Sequence, residues 1–235
     1  MKFLNILRNT FKLYQSTFGV HLLGSLILFT VVFLVYASLI TTIFGMPLED
    51  IIALQSNPEK LITLVSSRSF VIKFWFFSLL VDGIITPFTA GIYRNFAAVI
   101  QGERATLGNL FTYYRAPETS AILSHVILQM CLKTFILVGF SAIGMYSLGL
   151  AFNTIISLVF VLTIPIIILE SKPLFKAMGE SYRRIMLAPF TALIITFLGC
   201  VFVLAGFFSF GIGIVITFPI LFASIFSIYL SINKR

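Results

Sequence analysis

The sequence predicts an all-α membrane protein, a polytopic bundle of six transmembrane helices in a single domain over residues 1–235. Hydrophobic residues make up 59% of the chain and charged residues only 10%, whereas a soluble domain is about 45–50% apolar and about 25% charged. The apolar residues also form runs of the length, about 20, that a helix needs to cross a bilayer. The predicted spans are Val20–Phe44, Phe70–Ala97, Ser120–Ser141, Tyr146–Glu170, Pro189–Phe208 and Ile212–Ser231.

The distribution of Lys and Arg predicts how the spans are oriented. Lys60 and Arg68 flank the spans on one side, with Lys73 just inside span two. The remaining flanking cations lie on the other side: Lys2, Arg8, Lys12, Arg94, Arg104, Arg115, Lys172, Lys176, Arg183, Arg184, Lys234 and Arg235. Because Lys and Arg accumulate in cytoplasmic loops, we expect both termini in the cytoplasm. The same argument explains the net charge of +8 without a nucleic acid partner.

A repeated pattern divides the six spans into three pairs. A basic amphipathic segment precedes each odd-numbered span, at about residues 3–14, 107–114 and 174–186, and each even-numbered span contains a proline: Pro87, Pro165 and Pro219. Such segments favour helices that lie on the membrane surface. We therefore expect three transmembrane hairpins, each preceded by an interfacial helix.

The linker between spans one and two has a different character. Prolines at first helical positions are favoured, and Pro47 and Pro58 each stand at the start of a short polar run. The linker is expected to form one or two short helices, over Leu48–Leu54 and Pro58–Val65.

Two neighbouring spans carry polar residues at helical spacing, which we call the polar seam. Asp82, Thr86, Thr89 and Tyr93 share one face of span two, and His125, Gln129 and Lys133 share one face of span three. Ionisable residues inside spans are costly and often functional. An Asp82–Lys133 contact is within side-chain reach, and it could neutralise the two charges structurally, serve transport or ligand binding, or serve catalysis.

A second set of candidates lies in the basic segments at the cytoplasmic surface. Anionic headgroups attract such residues with about 1 kcal/mol each. The candidate contacts are Lys2, Arg8, Lys12, Arg104, Arg115, Lys172, Lys176, Arg183 and Arg184.

Three stretches carry a resemblance to a known family. They are PFTAGIYRNFAAVIQGERATLGNLF (87–111), IPIIILESKPLFKAMGESYRRIM (164–186) and GIGIVITFPILFASIFSIYL (211–230). Together they resemble the six-span bacterial family related to the membrane domain attached to some glycerophosphoryl diester phosphodiesterases. The resemblance implies a bacterial inner-membrane protein, and the phosphodiesterase catalytic domain itself is absent from the chain.

The sequence lacks the common catalytic motifs. His21 and His125 are too few for a multi-histidine iron cluster, and HExxH, Walker A and GxSxG motifs are absent. We therefore expect a protein that is not an enzyme, has no cofactor, and binds membrane lipids or a protein partner, including a second copy of itself. The alternative is a small transporter or channel that uses the polar seam.

Overall fold

The computed structural model describes residues 3–208 and 213–233, except for the side chains of Gln55 and Asn233. The described residues form helices and no β-strand, and six helical segments are long and apolar enough to cross a membrane. These findings confirm the all-α class and the presence of six helical segments with the length and composition of membrane spans. The helices are α1 (Phe3–Phe44), α2 (Leu48–Ala53), α3 (Pro58–Val65), α4 (Arg68–Ile100), α5 (Leu107–Phe111), α6 (Thr119–Ala142), α7 (Tyr146–Val159), α8 (Thr163–Glu170), α9 (Leu174–Met186), α10 (Pro189–Phe208) and α11 (Gly213–Asn233).

The first helix differs from the sequence prediction. Residues 3–14 do not form a separate interfacial helix, because α1 continues for 42 residues without interruption. At 1.5 Å per residue it is about 63 Å long, twice the thickness of a bilayer core. No proline lies within Phe3–Phe44 to end the helix. The basic segment is therefore the first third of a single long helix.

The linker helices agree with the prediction. Helix α2 begins after Pro47, and α3 begins at Pro58 after Asn57. The Asn57 side chain caps α3 by accepting a hydrogen bond from the Lys60 amide at 3.2 Å. We call this end of the bundle the linker end and the opposite end, where α9 lies, the basic end.

Proline interrupts the hydrogen bonding of α4 in its middle. Pro87 has no N–H to offer the carbonyl of Gly83 and its ring crowds that carbonyl. A tyrosine from the segment after α5 contacts the next carbonyl along the helix: the Tyr114 hydroxyl donates to the Ile84 oxygen at 2.6 Å. A hydrogen bond from another segment therefore stabilises α4 next to its proline.

Helix α11 shows the same relationship. Pro219 lies inside it, and the hydroxyl of Tyr14 in α1 donates to the carbonyl oxygen of Ile216 at 2.9 Å. In both helices the accepting carbonyl lies three residues before the proline. The two tyrosines come from segments that were predicted to precede spans one and three.

Span four is broken into α7 and α8, which the sequence analysis did not anticipate. A turn at residues 160–162 separates the helices, and Pro165 lies in the first turn of α8. A continuous helix would drive the Pro165 ring against the Val161 carbonyl. The buried Ser181 hydroxyl of α9 accepts from the Leu162 N–H at 3.2 Å and donates to the Val159 oxygen at 2.7 Å. Freed backbone groups in a membrane need such partners.

The hydrophobic core lies in the halves of α4, α8 and α11 that follow their prolines. These halves run towards the basic end, and their largest fully buried side chains are Phe88, Ile92, Phe96, Ile166, Ile167 and Phe226. By contrast, many apolar side chains nearer the linker end are exposed on α1 and α4, among them Phe33 at 66% and Phe76 at 61%. The bundle is therefore tightly packed in one half and more open in the other.

Candidate polar binding site

A cavity of about 330 Å³ lies between α4, α6 and α8. Helix α4 contributes Asp82 and Thr86, and α6 contributes His125, Gln129 and Lys133. Residues four apart lie one above the other on a helix, so each helix presents a short polar column to the other. The structure brings together five of the seven residues predicted for the polar seam.

The remaining two seam residues, Thr89 and Tyr93, do not line this cavity. The Thr89 hydroxyl donates to the Thr86 carbonyl within its own helix at 2.8 Å. The Tyr93 ring packs against Phe222 and Phe226 of α11, with centroids 5.8 and 6.1 Å away. Both residues follow Pro87, where α4 enters the packed core against α11 instead of the cavity. Extending one helix face through the proline was wrong at this point.

The break in span four forms one wall of the cavity. Ile164, the second residue of α8, is the one residue of the broken span that lines it among the described residues. Thr163 beside it is fully buried, and its hydroxyl has no hydrogen-bond partner among the described residues. A non-regular stretch at membrane depth is tolerated where it is buried in protein or lines a polar cavity.

Two buried side chains of α6 lack partners in the part of the chain that the structure describes. Gln129 is 9% exposed and neither its amide nitrogen nor its oxygen is hydrogen-bonded; His125 is 8% exposed and its Nδ1 is unbonded. An unmade hydrogen bond of a buried polar group costs about 1–3 kcal/mol. Because both residues line the cavity, water or a ligand inside it can supply the missing bonds.

Asp82 and Lys133 face the same cavity without joining directly. Within the described residues no ion pair at 4 Å or less links them, so the predicted direct contact is not present. Asp82 is also exposed, whereas Lys133 is half-buried. Asp82 is the fifteenth residue of α4, about 21 Å along the helix from Arg68. A carboxylate uncovered at that depth requires a polar neighbourhood.

An ion-pair cluster at the basic end was missed by sequence reasoning. Glu170 at the end of α8 bonds Arg184 of α9 through two hydrogen bonds, at 2.5 and 2.9 Å, and accepts a third from Tyr229 of α11 at 3.0 Å. Lys172 lies 2.9 Å from the same carboxylate. The cluster ties three helices together. Its signal in the sequence was a lone Glu at the end of an apolar run, followed 13 residues later by the pair Arg183 and Arg184.

A second acid extends this cluster along α9. Glu180 contacts Arg183 at 2.9 Å and Lys172 at 3.3 Å. The hydrogen bond from Arg183 lowers the pKa of Glu180, with Lys172 contributing, and the hydrogen bond to Glu170 raises the pKa of Lys172. Three of the predicted lipid contacts, Lys172, Arg183 and Arg184, are therefore already paired with acids of the chain.

The other candidate lipid contacts present exposed side chains. They are Arg8, Lys12, Arg104, Arg115 and Lys176, while Lys2 lies outside the described residues. They lie on α1, on the loop after α4, after α5 and on α9.

A buried polar cluster holds the loop between α4 and α5 against the bundle. Asn95 is fully buried in α4, and its amide binds both the N–H and the carbonyl of Thr106, at 3.0 and 3.1 Å. It also accepts from the Asn109 side chain at 3.0 Å and lies 3.4 Å from His21 Nε2. Gly91 allows α5 to pack directly on α4, since a Cβ there would lie 2.4 Å from the Leu110 oxygen. These residues hold the loop in place.

Comparisons with known proteins add no assignment. No family model, curated protein or solved structure matches the chain. Within residues 3–208 and 213–233, no three His, Cys, Asp or Glu side chains are grouped so that they could hold a metal ion.

Proposed function

We propose that this chain is a non-catalytic integral membrane protein that binds a small polar ligand between α4, α6 and α8 and passes it through the membrane as a small transporter. The observation that carries the proposal is the buried Gln129, whose amide faces a cavity and has no partner on either atom among the described residues. Asp82 and Lys133 supply charge of both signs at the same place. A cavity of about 330 Å³ lies within the range of small-molecule sites, about 300–1,000 Å³.

The interruptions in the proline-containing helices are positions at which these helices can bend during transport. Transporters place binding sites beside interrupted helices near the middle of the bilayer. Here the cavity is lined by Ile164, just after the break in span four, and by Thr86, which directly precedes Pro87 of α4. The packed core towards the basic end closes the path on that side in this conformation. Passage of a ligand requires the halves beyond the prolines to separate.

The same helices support the proposal of three repeated units, each a basic amphipathic segment followed by a transmembrane hairpin, with the first segment continuous with its span. Tyr14 and Tyr114 each bond a carbonyl three residues before a proline, at Ile216 and Ile84. Ser181 supplies the hydroxyl at the third proline-containing span. Each unit thus supports the even-numbered span of the unit before it, with the first unit supporting the last.

A second candidate function, binding to lipid at the membrane surface, is favoured by α9. Its residues Ala177, Met178, Ser181 and Ile185 are buried against the bundle. Its other apolar side chains remain uncovered, with Phe175 at 76%, Tyr182 at 55% and Met186 at 44% exposed. Exposed aromatic residues beside Lys176 and Arg183 favour a helix lying at an anionic membrane surface. In this orientation the basic end and both termini are cytoplasmic, in the inner membrane of a bacterium.

The test of the cavity is its accessibility to water. Thr86→Cys or Met130→Cys would be introduced after Cys131→Ala and Cys200→Ala, and the protein in liposomes treated with a membrane-impermeant cationic thiol reagent. Only a thiol in contact with water ionises and reacts. We expect both cysteines to be modified.

Ile127→Cys is the matched control, because Ile127 lies on α6 three residues from Met130 but is 49% exposed on the outside of the bundle. In lipid its thiol should react at least tenfold more slowly. Equal rates at positions 86, 130 and 127 would contradict an aqueous cavity and with it the proposed function.

A further inference from the structure

We infer that the ligand of the cavity between α4, α6 and α8 is a zwitterion, a group that carries an ammonium and an acidic oxygen close together. This inference rests on the proposed function and names the class of its ligand. It follows from the arrangement of two opposite charges and two unpartnered polar side chains around one space.

The charges of Asp82 and Lys133 favour a ligand with a cationic group at one end and an anionic group at the other. The Asp82 carboxylate only accepts hydrogen bonds and attracts a cation, whereas the Lys133 ammonium only donates them and attracts an anion. They line the same cavity from α4 and α6 without an ion pair at 4 Å or less within the described residues. A ligand with a single charge would leave one of these groups uncompensated at membrane depth, which is costly.

The neutral groups favour the same class. The Gln129 amide offers both a donor and an acceptor, and neither is used by the described residues. His125 Nδ1 is equally unbonded and lies on the same face of α6. An amide that both donates and accepts binds the acidic oxygen and the ammonium of one ligand at once. Thr86 and Thr134 add hydroxyls to the lining.

Two sources supply this chemistry, a free amino acid and the headgroup of a zwitterionic phospholipid. Both present an ammonium and an acidic oxygen a few bonds apart. The experiment therefore has a soluble arm and a lipid arm.

In the soluble arm, the unfolding temperature of the purified protein is measured with and without added ligand. The ligands are the standard amino acids whose side chains are uncharged, and phosphoethanolamine. Isopropylamine and propionate, each carrying only one of the two charges, are the matched compounds. In the lipid arm, the protein is reconstituted in nanodiscs of phosphatidylethanolamine or phosphatidylglycerol, and retained lipid is identified by native mass spectrometry. We expect at least one zwitterion to bind at least tenfold more tightly than the single-charge compounds, or phosphatidylethanolamine to be retained over phosphatidylglycerol.

The variants connect binding to the charges. Asp82→Asn and Lys133→Gln should each weaken zwitterion binding at least tenfold, whereas Asp82→Glu should retain it within a few-fold and shows that position 82 tolerates substitution. Glu59→Gln, which removes an exposed acid of α3, is the control and should bind as the wild type does.

Three outcomes overturn the inference: tighter binding of a single-charge compound, undiminished binding in Asp82→Asn, or no zwitterion bound in either arm. If thiol labelling at position 86 succeeds while the zwitterions fail, the ligand class is wrong and the aqueous cavity stands. If labelling fails as well, the proposed function fails with it.

Discussion

Ser181 donates its hydroxyl proton to the carbonyl oxygen of Val159 at 2.7 Å, across 22 residues of sequence. The Ser181 hydroxyl oxygen also accepts a hydrogen bond from the Leu162 N–H at 3.2 Å. One side chain of α9 thus forms hydrogen bonds with backbone groups on both sides of the break in span four. An amphipathic helix that was expected to touch the membrane surface alone is also a structural part of the transmembrane core.

Replacing this serine tests the importance of the bond. Ser181→Ala leaves the Val159 oxygen and the Leu162 N–H buried without their partner, so we expect a loss of about 1–3 kcal/mol of stability. Thermal unfolding in detergent measures the change. Ser157→Ala is the control, because Ser157 is exposed and bonds only the Asn153 carbonyl of its own helix. An equal effect of the two substitutions would contradict the role of Ser181.

The tyrosines at the prolines give a second prediction. Tyr14→Phe and Tyr114→Phe keep the rings and remove hydrogen bonds to Ile216 and Ile84, so each should lower stability by about 0.5–1.5 kcal/mol. The two sites share no partner, so the double variant should show the sum. Tyr182→Phe, at a ring that is 55% exposed, should change the unfolding temperature little. Unaltered stability in both single variants would show that the carbonyls of Ile216 and Ile84 need no donor from another helix or loop.

A glycine pair tests the contact between α4 and α5. Gly91→Ala places a methyl group 2.4 Å from the Leu110 carbonyl oxygen and 2.6 Å from that of Asn109. Backbone atoms cannot move aside cheaply, so we expect a loss of about 1–3 kcal/mol or more. Gly139→Ala in α6 meets nothing within 4 Å and should be neutral or slightly stabilising, since Ala favours helix. The yield and unfolding temperature of the two variants are the measurements. Equal values for Gly91→Ala and Gly139→Ala would contradict the close packing of α5 on α4.

The Glu170–Arg184 pair is suited to a double-mutant cycle. Its side chains are 20% and 12% exposed, so removing one partner strands a largely covered charge. Glu170→Gln and Arg184→Met should each lower stability by about 1.5–3 kcal/mol, and the double variant should lose less than the sum. Additive losses would mean that the two residues are not coupled. Lys176→Met, at an exposed cation of α9, is the control for charge removal.

Acid should weaken the attachment of the cations to Glu180. Arg183 and then Lys172 hold the pKa of Glu180 below its ordinary value of 4.5. Its contribution is therefore complete above pH 4.5 and is lost as the pH falls through the lowered folded-state pKa. At pH 7 wild type should exceed Glu180→Gln in stability by a few tenths to about 1 kcal/mol, as in other partly exposed pairs. The difference should shrink progressively as unfolding is measured at pH values below 4.5, and a constant difference would refute the assignment.

The candidate site could be predicted in part from the sequence. Helical spacing placed Asp82 and Thr86 on one face, and His125, Gln129 and Lys133 on another, and these five line the cavity. The same rule failed for Thr89 and Tyr93, because spacing on one helix does not show which neighbour packs against it beyond a proline. Pairing of Glu170 with Arg184 was also unreadable, since the two belong to different helices and their distance depends on how α9 returns onto α8.

The sequence by itself determined the class of the protein, the number of spans and the short helices after Pro47 and at Pro58. These follow from length, apolar content and local backbone preference, which act within a few residues. The continuity of α1, which no proline interrupts, also follows from local preference, whereas only the tertiary structure decided the break before Thr163 and the cavity beside it. The break and the cavity each depend on a partner from elsewhere in the chain, such as Ser181 at the break, because a membrane requires freed backbone groups to find partners wherever the fold can bring them.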